Sequence, residues 1–525
     1  MKPDWIVANI SESRKETLDK DLDKLVHVEE ATSFVSRGLI GPGLGLLFLA
    51  IVAVFAAIFM AGEPRVVIIV AAAAIGGYMA LNIGANDVAN NVGPAVGAKA
   101  MTLGGALLIA AVFESAGALV AGGDVVKTIA KGIIDPAAVG DPAVFIRAMM
   151  AALISSALWI NLATWIGAPV STTHSVVGGV VGAGIAAAGL SAVDWGTMAG
   201  IAASWVISPV IGGVIAAAFL AFIKANIIYR DDKIAAARRW VPLLIAVMAS
   251  AFSAYLAMKG LGKVVHVGTV RLVLIGAGVF AIAWGVSTIL VRRQSEGMEN
   301  RNQSLRKLFR LPLIISAALL SFAHGANDVA NAVGPLAAIV HAAQDDSVAT
   351  AVSIPPWVMI IGALGISLGL MLFGPKLIRM VGEQITRLNP MRAFCVALSA
   401  ALTVIIASGL GLPISSTHVA VGAVFGVGFF REWYTQNSKR RRAYLERKNR
   451  RHREALQAAN GNTLRDEDAD DDQDATPVAL SREEIARRRL VRRAHVTTIV
   501  AAWVTTVPAA AVLASLVFLV LQSFA

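Results

Sequence analysis

The chain has a single cysteine, Cys395, in 525 residues, so no disulfide can form within it. Charge is also scarce. Asp, Glu, Lys and Arg make up 15% of the residues, against about 25% in an ordinary soluble domain. There is no Walker-type glycine loop ending in Lys-Ser/Thr, no His-Glu-x-x-His pair and no Cys/His ligand cluster. The glycines of Gly43-Leu-Gly-Leu-Leu-Phe48 sit inside an apolar run, the wrong context for a phosphate loop. These absences leave no nucleophile, resident metal or cofactor, and the expectation is a protein that is not an enzyme. A net charge of +11 suggests nucleic acid, but its distribution argues against that partner. Lys and Arg are sparse in the apolar runs and gather in a few polar loops, the pattern of a multispanning membrane protein.

What is abundant is apolar sequence: 56% of residues, with a mean hydropathy of +0.68. A helix crosses a bilayer with about 20 apolar residues. Stretches of that kind are read at 39–61, 65–97, 103–122, 146–167, 171–190, 197–223, 241–260, 269–291, 311–340, 356–374, 392–410, 414–430 and 496–522. Alternation of the β-barrel type is absent from the pattern. Residues 1–38 are polar and carry no apolar core of a signal peptide. One long polar segment, 431–495, interrupts the plan. It holds a basic run (Lys439 to Arg453), an acidic run (Asp466 to Asp474) and a second basic patch (Arg487 to Arg493). It reads as a solvated insertion.

The chain repeats itself. Gly84 to Pro94 reads GANDVANNVGP and Gly325 to Pro335 reads GANDVANAVGP, differing only at Asn91 and Ala332. PVSTTH (Pro169 to His174) follows the first copy and PISSTH (Pro413 to His418) the second, at separations of 85 and 88 residues. A weaker echo pairs Trp205 and Pro209 with Trp503 and Pro508. The expected organisation is therefore a polar N-terminal segment (1–38), an additional helix (39–61), a first repeat (65–225), connecting helices with basic loops (226–310) and a second repeat (311–430). The charged insertion (431–495) and a last helix (496–522) that completes the second repeat follow. The basic loops 224–239 and 292–310 place both on the cytoplasmic side. Counting outward from them puts the N-terminus inside, the insertion inside and the C-terminus outside. An odd number of crossings separates the two GAND copies, so the repeats are inverted. The fold class expected is an all-α polytopic inverted-repeat secondary transporter, with broken helices and two re-entrant hairpins.

The motifs suggest a chemistry. Asp87 and Asp328, with Asn86, Asn90, Asn327 and Asn331, lie mid-way along apolar stretches, where a carboxylate costs roughly 2.5–3.5 kcal/mol. Flanking Gly and Gly-Pro favour a break in each helix there. Ser171, Thr172, Thr173 and Ser415, Ser416, Thr417 follow a proline at the start of an apolar run, a helix N-terminus signal and a ready anion site. Carboxylates beside an anion require either a bridging cation such as Na⁺ or a proton on one Asp. An Asp acceptor also distinguishes a protonated phosphate from sulfate, so Asp87 and Asp328 are expected to select phosphate. Glu114, inside a span, is a candidate coupling group without an evident counterpart in the second half. His174 and His418 read as packing or capping residues.

On GANDVANNVGP, GANDVANAVGP, PVSTTHS, PISSTHV and the segment Ala111 to Asp135, the sequence resembles the inorganic phosphate transporter family of cation-coupled symporters. It resembles the sodium-coupled branch more than the proton-coupled one. The resemblance covers roughly residues 65–225 and 310–522. It implies phosphate on Ser171, Thr172, Thr173, Ser415, Ser416 and Thr417, beside Asp87 and Asp328. It implies Na⁺ near Asp87, Asn86, Asn90, Asp328, Asn327 and Asn331, and matches Glu114 to a family glutamate. Ala397 stands where some members carry a glutamate. The implied function is import of inorganic phosphate with Na⁺ through a bacterial inner membrane, with no cofactor beyond the co-transported ion. The alternatives are an H⁺-coupled carrier of phosphate or metal–phosphate, a sulfate or other oxyanion permease, and a nontransporting receptor or scaffold. Partners are phosphate, Na⁺ or H⁺ and the lipid bilayer; monomer and homo-oligomer both remain open.

Overall fold

The computed structural model describes residues 39–166, 170–260, 268–345, 354–384, 388–444, 446–447, 450 and 493–524. The N-terminal polar segment 1–38, the acidic run of the insertion, Pro169 and the loop holding Asp346 lie outside the described residues.

Eleven described helices are long and apolar enough to cross a membrane. In chain order the helices are α1 (Leu39–Phe59), α2 (Val66–Gly97), α3 (Leu103–Ala121), α4 (Gly123–Lys131), α5 (Pro136–Val139), α6 (Pro142–Ile166), α7 (Thr172–Ala188) and α8 (Trp195–Ile223). Then come α9 (Lys233–Lys259), α10 (Thr269–Gln294), α11 (Asn302–Leu308), α12 (Arg310–Asp345), α13 (Pro356–Gln384), α14 (Pro390–Gly409), α15 (Ser416–Asn437) and α16 (Arg493–Ser523). Residues 224–228 extend α8 as a single π-turn. The chain is thus all-α and polytopic.

Local signals set several starts. Thr102, Ser171, Asp194, Asp232, Asn389 and Ser415 each cap a helix by accepting a hydrogen bond from a backbone N–H three residues on. Packing then sorts the helices by depth. In its apolar window α12 is 89% buried and α10 only 11%, so α12 is core and α10 faces outward.

The expected break at each GAND motif does not occur. α2 and α12 run unbroken through Gly84–Pro94 and Gly325–Pro335. The motif glycines serve close approach instead. A Cβ on Gly84 would overlap the carbonyl of Ile366 in α13, and one on Gly325 would overlap the carbonyl of Glu114 in α3. Gly369 and Gly117 complete the crossings against Leu81 and Phe322. Each GAND helix therefore packs on the helix that follows the other GAND helix. The same exchange recurs where Gly178 and Gly182 of α7 meet Val507 and Ala511 of α16, and Gly422 and Gly426 of α15 meet Pro209 and Gly213 of α8. By these contacts Pro209 is the counterpart of Val507 rather than of Pro508, which makes Trp205 the counterpart of position 503, as the sequence echo proposed.

The interruptions lie at the hairpins. α6 and α7 have their open ends on one side, tied by the bridge between Ile134 and Val193 and by Asp194 N–H donating to Ile133 O (3.0 Å). Their tip reaches α2, where Thr164 meets Asn86 at 3.0 Å. α14 and α15 repeat the form, their tip on α12 through Asn327 and Ser408 (3.0 Å). α8 runs from the open end of the first hairpin at Trp195 to that of the second at Lys224, so the hairpins enter from opposite sides. Their tips touch, Thr173 Oγ1 donating to Ile414 O (3.0 Å), and Trp205 Nε1 of α8 donates to Pro413 O of the second tip (3.0 Å). Gly411, in the left-handed region (φ +70°), turns the second tip.

Candidate functional site

Four elements converge where the tips meet α2 and α12. Asp87 and Asp328 are both 0% exposed. The Thr172 hydroxyl lies 3.0 Å from Asp87 Oδ2 and 3.1 Å from Asp328 Oδ2. A hydroxyl has one proton to donate, so it satisfies only one carboxylate at a time. Thr417 Oγ1 donates to Asp87 Oδ1 (3.1 Å) and Ser416 Oγ to Asp328 Oδ2 (3.3 Å). Asn90 Nδ2 donates to Thr417 Oγ1 (2.9 Å), and by the exchanged symmetry Asn331 Nδ2 donates to Thr173 Oγ1 (3.2 Å).

The remaining expected residues divide into supports. Ser171 and Ser415 turn their hydroxyls to the backbone N–H groups of His174 (3.2 Å) and His418 (3.3 Å) and cap their helices. Asn327 braces the second tip through Ser408 and Leu412 O (3.1 Å). The Asn86 amide fits its surroundings with its oxygen accepting from Thr164 and its nitrogen donating to Asp87 Oδ1 (3.2 Å) and Val170 O (3.3 Å). The structure thus brings together two residues per tip around the aspartate pair, with the first serine of each tip held apart as a cap. His174 and His418 pack edge to face at 4.3 Å, with Trp205 on His174 at 3.8 Å. Ala397 is buried in α14.

One central residue escaped the sequence reading. His324 precedes the second motif by one position, one turn before Asp328, and is 0% exposed. Its Nε2 lies 3.2 Å from Asp328 Oδ2 and 3.7 Å from Asp87 Oδ2; its Nδ1 lies 3.2 Å from Glu114 Oε2. Asn91 Nδ2 donates to the other Glu114 oxygen (2.8 Å). The position matching His324 in the first copy is Ile83, and the crossing that pairs Gly325 with Glu114 pairs Gly84 with Ile366. His324, Glu114 and Asn91 are therefore one-sided additions to a twofold site. A comparison of the residues flanking the two motifs carries the signal.

The donor set has a definite chemistry. Ligand atoms of Asp87, His324 and Asp328 all lie within 4.8 Å of one another. At an effective dielectric near 20, two unit negative charges within 4.8 Å repel by about 3.5 kcal/mol. The arrangement therefore requires compensating positive charge. Asp328 Oδ1 and Asn331 Oδ1 are buried acceptors with no hydrogen-bond partner among the described residues, which suits a bare cation. Hydroxyls at two helix N-termini suit an oxyanion.

The Phosphate transporter family matches residues 83–514, a span that contains both aspartates, both tips and most of the last helix. A protein of Helicobacter pylori strain J99 named "Putative phosphate permease" is 46% identical over 526 residues, covering 95% of this chain and 98% of its own length. A Pyrococcus abyssi protein with the same descriptive name is 40% identical, covering 68% of this chain and 87% of its own. A solved structure titled "The sodium-dependent phosphate transporter" matches with a TM-score of 0.73 and 34% identity, over 87% of this chain and all of that one. With the duplicated Asp and Ser/Thr elements all inside the matched span, the chain belongs to the phosphate transporter family, a family of membrane carriers rather than enzymes.

Proposed function

We propose that the protein imports inorganic phosphate by symport with Na⁺, through alternating access between its inverted repeats. The observation that carries this reading is the single Thr172 hydroxyl set within 3.1 Å of both buried carboxylates. An anion beside that pair needs a cation travelling with it. Phosphate is held by Thr172, Thr173, Ser416 and Thr417 at the two tips, and its own proton is donated to an aspartate. Na⁺ is held by Asp87, Asp328 and the amide oxygens of Asn90 and Asn331. Glu114 and His324 form the coupling side of the site. Asp87 and Asp328 are both 0% exposed, which supports reading this arrangement as an occluded one between two open ones. The membrane is a plasma membrane, with the N-terminus and the insertion inside and the C-terminus outside.

Two tethers lie between the second tip and the far side. Lys259 Nζ pairs with Asp124 Oδ2 (2.6 Å) and donates to Gly409 O (3.2 Å), while the Thr128 hydroxyl donates to Gly411 O (2.7 Å). A cavity of about 630 Å³ opens beside Thr128, between Lys127, Lys131 and Thr197. On this reading phosphate approaches the second tip through it, with the tethers as the barrier that must part.

Radiolabelled phosphate uptake into proteoliposomes with imposed gradients tests the reading. Uptake driven by inward Na⁺ at equal pH supports it. Uptake that follows a proton gradient and ignores Na⁺ replaces Na⁺ with H⁺ as the coupling ion. No uptake under either gradient rejects transport in favour of a receptor or scaffold.

A further inference from the structure

The basic loops do more than mark orientation. A second cavity, of about 80 Å³, lies at the open end of the second hairpin, on the side opposite Lys259 and Asp124. Six cationic residues line it: Lys224, Lys233, Arg306, Arg392, Arg431 and Arg441. None of the described lining residues is acidic. They come from three basic segments far apart in sequence, the α8–α9 turn, α11 and the region from α15 into residues 439–444, together with Arg392 at the start of α14.

A positive-inside bias accounts for cations in solvent but not for their burial. Lys224, Lys233 and Arg441 are 7%, 8% and 9% exposed, and a buried ammonium loses its hydration unless something replaces it. Aromatic faces do part of this: Lys224 lies 4.6 Å from the Tyr434 ring centre and Lys233 5.4 Å from that of Tyr444. Lys233 Nζ also donates to Asn302 Oδ1 (3.0 Å). Several of these cations have further contacts of their own, so the cavity holds them in place rather than leaving them loose. The long helices α9 and α14 both begin here and add the positive ends of their dipoles. Lys224 opens the π-turn, an irregularity frequent at functional sites. Arginine forks with lysine point charges match the oxygens of a phosphate group.

We propose that this cavity is a second, phosphate-class anion site, separate from the central one, that ties the base of the second hairpin to the α8–α9 turn and α11. The ligand group is inorganic phosphate or the phosphate of a lipid headgroup. Because both hairpin arms line the cavity, occupancy restrains the hairpin that transport must move. That last consequence rests on the transport reading; the binding does not.

The test is equilibrium binding of ³²P-phosphate to the full-length protein in neutral detergent, with and without Na⁺. The cationic cavity needs no Na⁺, so a Na⁺-independent component is expected. Arg306→Gln with Arg392→Gln is expected to weaken it at least tenfold, and Thr172→Val to leave it unchanged. Arg392→Lys, which keeps the charge and loses the fork, is expected to weaken it severalfold and serves if the double variant does not fold. Absence of Na⁺-independent binding overturns the proposal. So does a component that Thr172→Val removes and the arginine variants do not, because it then belongs to the central site. Dihexanoylphosphatidylglycerol displacing the label at tenfold lower concentration than unlabelled phosphate assigns a lipid headgroup; the reverse order assigns free phosphate, and either supports the site. Failure of gradient-driven uptake alone touches the transport reading and leaves this one standing.

Discussion

Thr172 is the residue on which the chemistry turns. Its hydroxyl sits between two carboxylates that cannot both be satisfied by it. Thr172→Val removes that donor while keeping the shape. An unpaired buried acceptor costs about 1–3 kcal/mol, so phosphate uptake is expected to fall roughly tenfold to a hundredfold in an initial-rate assay. An unchanged rate would place the substrate elsewhere. Asp87→Asn and Asp328→Asn should each abolish Na⁺-driven uptake while leaving the folded protein monodisperse in size-exclusion chromatography. Sulfate carries no proton near neutral pH to give an aspartate. A large excess of sulfate is therefore predicted to leave phosphate uptake nearly untouched, and competition at equal concentration would refute selection by the aspartates. Glu114 belongs to the same scale: held by Asn91 and beside His324, it is expected on Glu114→Gln to lower the Na⁺ dependence of uptake more than phosphate binding.

At the scale of helices, the GAND glycines act through space rather than flexibility. Gly84 and Gly325 let α2 and α12 lie against the backbones of α13 and α3. Gly84→Ala or Gly325→Ala forces those pairs apart, an overpacking expected to cost about 1–3 kcal/mol or more. Gly93, in the same helix and the same motif, has open space for 4 Å around the point a methyl group would occupy. There Gly→Ala should stabilise by about 0.5–1 kcal/mol through helix propensity. Thermal unfolding in detergent separates the two: a lower midpoint for the first pair and an equal or higher one for Gly93→Ala. Equal midpoints for all three would mean that the crossings are looser than they stand here.

For the whole molecule, the exchange of helices between repeats is the organising fact. Equivalent residues meet across it: Ser115 Oγ and Ser367 Oγ are 2.6 Å apart, and His174 faces His418. Neither repeat can close its own core, because each borrows the partner of its GAND helix and of its hairpin from the other. Under the proposed alternating access, a tip must part from its tethers on one side at a time. The Lys259–Asp124 pair is partly exposed, at 18% and 42% for the two side chains, and an exposed ion pair contributes little to stability. A double substitution Asp124→Cys with Lys259→Cys is expected to fold and, once bridged by a short bis-methanethiosulfonate cross-linker that spans the lost lysine side chain, to block uptake reversibly, with dithiothreitol restoring it. The native Cys395 is buried and should not interfere. Full uptake by the cross-linked form would show that this side does not open.

Much of this was legible without coordinates, for physical reasons. Apolar runs of spanning length fixed the helices, because lipid leaves a chain no other way to satisfy its backbone. Duplicated Asp and Ser/Thr motifs named the residues that meet at the centre, since such groups are too costly at that depth without a role. The break expected at each GAND motif was wrong because glycine reads alike as a hinge and as a contact, and only a neighbouring carbonyl tells them apart. His324 was missed because one histidine beside a motif has no period or spacing to mark it. That three distant basic loops line one cavity was likewise hidden, as charge in a sequence gives a side of the membrane but no convergence point. By itself, then, the sequence determined that the chain is built of apolar helices and that its two motifs are duplicated, both of which follow from local composition. The exchanged pairing of the repeats and the one-sided His324–Glu114 addition were decided by tertiary packing, because each depends on which surfaces meet.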